Sequence, residues 1–177
     1  SMKLSFLTAA AGTLFCLAPN AAADLTTYNQ DFEGLDDMSP TALSADGFRI
    51  FANVFDAMGG YLYGYGTFDA PNGGAGFSAI ATGSAGAAQG VQYVNAYNDY
   101  NGDGDTETIA FIKVLKSSDG TYATLAFETL DTTNASTTVW AGGSLSLLID
   151  PTFAGELLQF GFASTATLYN DSGRYYD

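Results

Sequence analysis

From Asp24 onward the chain keeps a two-residue rhythm, and that rhythm narrows the possible folds more than any single motif. Apolar and polar side chains alternate in short runs, as on the two faces of a strand, and past Asp24 no helical spacing of about 3.6 residues is sustained. The alternation predicts strands over 25–33, 47–56, 61–68, 76–82, 91–99, 107–116, 121–130, 138–149 and 156–167, with a last fragment at 173–177. Between them lie Met58-Gly59-Gly60, Pro71-Asn72-Gly73-Gly74, Gly86-Ala87-Ala88, Asn101-Gly102-Asp103-Gly104 and Ser117-Ser118-Asp119-Gly120. These residues supply positive φ and side-chain-to-backbone bonds, the chemistry of turns. Short strands recurring about every ten residues predict an all-β sandwich or barrel. No linker, internal repeat or second domain interrupts residues 24–177, which are long enough for one hydrophobic core.

Residues 1–23 stand apart from this pattern. Met2-Lys3 precedes an apolar run from Leu4 to Leu17, then Pro19 and the small residues Ala21-Ala22-Ala23. That order is expected of a secretory signal peptide cut after Ala23, with Ser1 a residue left by cloning. The run is too short for a membrane span, so the expected location is secreted, extracellular or periplasmic, without membrane insertion. The one cysteine, Cys16, falls inside the leader, and the mature chain is expected to hold neither a disulfide nor a thiolate metal site. Stability must then come from core size, hydrogen bonds or a bound metal.

Acidic residues number 19 against 5 basic ones, with no histidine and a formal net charge of −14. Such a chain is repelled by nucleic acid and by anionic membrane surfaces. Without histidine it lacks the usual general base, the usual zinc ligand and the Ser-His and Cys-His pairs.

Several predicted strands carry one aliphatic face and one face that mixes aromatic and polar groups. In 91–99, Tyr93, Asn95, Tyr97 and Asp99 oppose Val94 and Ala96; in 48–55, Ile50, Ala52 and Val54 oppose Arg49, Phe51, Asn53 and Phe55. In 121–130, Leu125 and Phe127 share a face, with Tyr122, Thr124 and Glu128 opposite; in 145–149, Leu145, Leu147 and Ile149 read as core. A sugar offers apolar C–H faces that stack on flat rings and hydroxyls that need paired donors and acceptors. Tyr93, Asn95 and Tyr97 supply that mixture, and Arg49, Asn53, Lys113, Glu128 and Gln159 extend it if their strands share a sheet. The plainer reading is that cross-strand tyrosines stabilise the sheet. In 61–68, Tyr61, Tyr63 and Tyr65 recur at every second position, which predicts three rings on one face. Gly64 and Gly66 weaken that strand and place Tyr65 near the rim of a binding surface.

Calcium binds hard oxygens and accepts carboxylates mixed with carbonyls. Glu33, in Gln30-Asp31-Phe32-Glu33-Gly34, and the terminal Asp177 would share one ion if the first and last strands are neighbours; two unrelated surface acids are the alternative. Asp99, Asn101, Asp103 and Asp105 form a second acidic loop, in which Asp99, Asn101, Asp103 and Gly104 match a calcium loop's opening positions. Ala110 stands where the closing glutamate belongs, so a solvated turn competes with a looser calcium site. Support for catalysis is thin: Glu128 has no evident partner carboxylate for glycoside hydrolysis, and no nucleophile motif or phosphate loop is present. The expected protein is not an enzyme.

Asp31-Phe32-Glu33 near the start and Tyr175-Tyr176-Asp177 at the end resemble the β-jelly-roll carbohydrate-binding modules. In that family the matching glutamate and aspartate ligate a structural calcium, which here implies Glu33 and Asp177. Phe51-Ala52-Asn53-Val54-Phe55, Tyr63-Gly64-Tyr65-Gly66, Ala70-Pro71-Asn72-Gly73, Phe77-Ser78-Ala79-Ile80 and Leu158-Gln159-Phe160-Gly161-Phe162 are similar to uncharacterised exported bacterial proteins of the same fold. The resemblance implies a two-sheet antiparallel jelly-roll β-sandwich that binds a polysaccharide or other glycan. It departs where Asp105-Thr106-Glu107-Thr108 runs directly into Ala110-Phe111-Ile112-Lys113, as if a strand were absent, and where the chain stops at Asp177. A missing strand exposes sheet edges and invites self-association, the basis of an alternative reading as a structural or adhesive surface protein. A polysaccharide-active enzyme is the third.

Overall fold

The computed structural model describes residues 28–56, 58–73, 77–83, 90–99, 105–135, 138–166 and 172–177, and for 97–99, 105, 106, 166, 172 and 173 the backbone alone. The fold is all-β and antiparallel, with one short α-helix among the described residues. In chain order the elements are α1 (Ala42–Ala45), β1 (Arg49–Phe55), β2 (Tyr61–Asp69), β3 (Ser78–Thr82), β4 (Gln92–Asp99), β5 (Asp105–Leu115), β6 (Thr124–Asp131), a 3-10 turn (Pro151–Phe153), β7 (Leu157–Ala166) and β8 (Ser172–Tyr176). Three sheets result: the hairpin β1-β2, a sheet in the order β3-β4-β8 and a sheet in the order β6-β5-β7. No described helix is long and apolar enough to cross a membrane.

The main core forms where the segment before β1 folds over the ends of the sheets. Phe32, Leu43, Ala70 and Val94 are buried together, and Leu35, Phe48, Ile50, Ile80 and Tyr176 pack around them. Leu43 reaches this core because α1 ends abruptly. Gly47 adopts φ +95, Gly47 N–H donates to the Ser44 carbonyl and Phe48 N–H to the Leu43 carbonyl. That is the Schellman arrangement, which only glycine enters without strain, and it brings Phe48 back against the helix. Burying Leu43 completely is worth about 1.5–3 kcal/mol.

The two three-stranded sheets meet in a sandwich-like contact. The rings of Phe162 on β7 and Tyr176 on β8 stack 3.7 Å apart at 9°. The Tyr176 hydroxyl lies 3.2 Å from Thr132 Oγ1, and Arg174 donates to the carbonyls of Thr133 and Ala135 just past β6.

Two expected strands, 25–33 and 138–149, are not found among the described residues. Residues 28–33 form a turn: Phe32 N–H donates to Gln30 Oε1 at 2.7 Å, and Phe32 takes φ +60 to send its ring into the core. Residues 140–149 have no regular secondary structure and join no described sheet. Their side-chain alternation survives, with Leu145, Leu147 and Ile149 half-buried and Leu148 89% exposed. Leu125 and Phe127 are exposed on their shared face of β6, over which the described residues place no second layer.

The tyrosine row of β2 is also rearranged. Val54 pairs with Tyr63 but Phe55 with Tyr61, and Ala52 pairs with Gly66 but Asn53 with Gly64. Leu62 and Tyr65 are thus extra residues at two bulges, the second helped by Gly66 at φ +68. Each one-residue slip exchanges faces, so Tyr61 shares the face of Phe55 whereas Tyr63 shares that of Val54.

Candidate functional site

The sheet β3-β4-β8 offers the closest approach to a ligand-binding surface. On β4, Val94 points into the core and Tyr93 and Asn95 point the other way. The register sets Ala81 beside Tyr93, and Ala79 and Tyr175 on either side of Asn95. Two alanines leave room for larger neighbours. Tyr175 fills part of it, its ring centroid 4.7 Å from that of Tyr93. Trp140 arrives from the segment 138–149 and stands edge-on to Tyr93 at 5.5 Å.

This packing changes the expected role of Tyr93. It is 4% exposed, its hydroxyl donates to the Thr82 carbonyl at 2.9 Å, and its ring is covered by its aromatic neighbours. It cannot serve as an open platform and acts as the base of the cluster. The accessible ring is Tyr175, 50% exposed, with half-buried Trp140 nearby. Asn95 Oδ1 is buried without a hydrogen-bond partner. A buried acceptor left unpaired costs about 1–3 kcal/mol, which a ligand donor can recover.

The other expected ligand residues are dispersed. Arg49 and Asn53 lie on β1 and Tyr65 on β2, in a different sheet. Arg49 pairs with Asp69 across the hairpin at 2.7 Å, and Asn53 lies over Gly64, where an added Cβ would come within 2.5 Å of its Oδ1. Lys113 and Gln159 are direct neighbours across β5 and β7, and Lys113 Nζ sits 4.9 Å from the Phe111 ring centroid. Glu128 pairs with Ile112 and therefore faces away from Lys113. No single surface gathers these residues. Tyr97 lies on β4 with only its backbone described.

Near the start of β4 the two ends of the described chain converge. Glu33 Oε1 accepts from Val91 N–H at 2.6 Å and Gln92 N–H at 2.5 Å. Gly90, at φ +82, makes this possible, since a Cβ there would fall 2.5 Å from the same oxygen. Gln92 Nε2 donates to the carbonyls of Glu33 and Leu35, while Gln92 Oε1 is buried without a partner. Asp177 follows β8 into this region: burial pushes its carboxyl above the usual range, and the negative charges of Glu33 and Asp31 push it further. Hard oxygens suited to calcium are thus gathered here. Among the described residues no three carboxylates form a chelating group by themselves, so carbonyl or amide oxygens would have to complete a shell. In the second acidic loop, Asn101 and Asp103 lie outside the described residues, and Asp99 and Asp105 are described by backbone alone.

Sequence reasoning missed Trp140 and Tyr175 as site residues. The single tryptophan lay in a predicted strand, and Tyr175 was absorbed into the terminal motif; its place on the Asn95 face follows only from the β4–β8 register. No protein-family model, no curated protein and no solved structure matches this chain.

Proposed function

We propose that this chain is an exported, non-catalytic glycan-binding protein of the jelly-roll type, with its contact surface on the outer face of β3-β4-β8. The observation that carries the reading is the buried, unpartnered Oδ1 of Asn95 directly across from the half-exposed ring of Tyr175. A sugar ring resting its C–H face on Tyr175 aims a hydroxyl at Asn95 Oδ1, so stacking and hydrogen bonding are satisfied together. Tyr93 holds Tyr175 in place from beneath, and Trp140 borders the contact. Calcium, held by Glu33 and Asp177 with neighbouring oxygens, supplies structural charge neutralisation at the start of β4.

The test is affinity electrophoresis or calorimetry of the chain against a polysaccharide panel, with calcium present. With a hit in hand, Tyr175→Ala is expected to weaken binding about 3- to 10-fold, the scale of one aromatic contact. Asn95→Ala should weaken it further without unfolding the sheet. Tyr93→Ala should instead lower the melting temperature, because it removes a buried ring. Unaltered binding by folded Tyr175→Ala protein would refute the assignment of this face.

A further inference from the structure

The β1-β2 hairpin carries surface that the glycan reading does not use. Phe51, Phe55, Tyr61, Leu62, Tyr63 and Tyr65 are each between 48% and 65% exposed. At about 200 Å² per side chain of this size, Phe51, Phe55 and Tyr61, which share one face, present on the order of 360 Å² of largely apolar surface, a little under half of the ~800 Å² per partner of a standard protein interface, and backbone pairing at the strand edge adds to it.

Charge sets where a second copy can approach. The whole chain carries a net charge of −14, yet residues 50–68 contain one charged residue, Asp56. Asp56 Oδ1 is engaged by the N–H groups of Met58 and Gly60 in the hairpin turn. At the base of the hairpin Arg49 and Asp69 neutralise one another. Two copies of this acidic chain repel each other over most of their surfaces, and the hairpin is where approach costs least. The two edges of the hairpin differ as well. Both bulges put their extra residue in β2, which disrupts its row of N–H and C=O groups, whereas β1 is continuous over seven residues and pairs with no described strand except β2.

We propose that two copies of this chain associate by antiparallel pairing of β1 with its counterpart, joining two hairpins into a four-stranded sheet. The contact is two-fold symmetric, so Phe51 and Phe55 of one copy lie against the same residues of the other. This inference does not rest on the glycan reading.

Sedimentation velocity of the full chain over a dilution series tests it. The expected result is a reversible monomer–dimer equilibrium that Phe51→Lys/Phe55→Lys weakens about tenfold or more, by placing like charges across the new strand pair. Phe127→Lys, on a different sheet, should leave the equilibrium unchanged. Amide hydrogen exchange of the unmodified chain gives a second readout that needs no variant: concentration should slow exchange within 49–69. A monomer at every concentration, an equilibrium indifferent to the β1 lysines, or protection at 4–17 or elsewhere outside the hairpin would overturn the proposal.

Discussion

Asn72 shows how much one polar side chain can organise. Its Nδ2 donates to the carbonyls of Asp37 at 2.9 Å and Ser39 at 2.8 Å, and its Oδ1 accepts from Ile80 N–H at 2.8 Å. One amide therefore joins the loop before α1 to β3, and with it the core segment around Leu43 to the sheet that carries Tyr93. Asn72→Ala is expected to destabilise the chain by about 2–4 kcal/mol, since three backbone groups lose a partner at roughly 1 kcal/mol or more each. A thermal or denaturant melt checks this, with an expected fall of several degrees. The sequence shows Asn72 as a turn residue beside Gly73, and that much is correct: Gly73 takes φ +87. Its partners are not legible, because they lie more than thirty positions away in sequence for two bonds and depend on how the loops fold back. The same holds at the candidate site. Alternation on β4 identifies Tyr93 and Asn95 as sharing a face, but not that Tyr175 and Trp140 would close over the first and leave the second unpaired.

At the scale of elements, alternation reports which side of a surface a residue faces and says less about backbone pairing. It located the eight described strands, but it also nominated 138–149, where the rhythm survives in side-chain burial while 140–149 join no described ladder. It could not register the bulges of β2, which divide the tyrosine row between two faces. The turn signals that fall on described residues, at 58–60, 71–73 and 117–120, were more dependable, while 86–88 and 101–104 lie outside them. Ser117-Ser118-Asp119-Gly120 does connect β5 to β6, and Glu156 ties it to the start of β7: one carboxylate accepts from the N–H and hydroxyl groups of both Ser117 and Ser118. The Ser118 hydroxyl, with the backbone donors, holds the Glu156 carboxyl below the usual glutamate range. A depressed folded pKa means stability that is present above the ordinary glutamate value and is lost as pH falls through the folded one. Glu156→Gln should therefore melt earlier than the unmodified chain at neutral pH, and the difference should shrink toward zero under acid conditions. Equal melting curves at pH 7 would show that the loop needs no charged anchor.

The whole molecule joins a modest core to extensive exposed aromatic surface and a large negative charge. A bound cation near Glu33 and Asp177 would relieve repulsion where both ends of the described chain meet. Calcium at a hundredfold excess over its dissociation constant is expected to stabilise the fold by about 2.7 kcal/mol, and excess chelator to reverse that rise in melting temperature. A melt unmoved by chelator would dismiss the ion. The same meeting point bears on when the protein can fold at all. Val94 pairs with Tyr176, its partner across nearly half the chain, and that pair sits on the core. Contacts this distant in sequence close late and slowly. During synthesis, β4 must wait with one edge open until β8 leaves the ribosome. A chain arranged in this way stays pliable for as long as β8 is withheld.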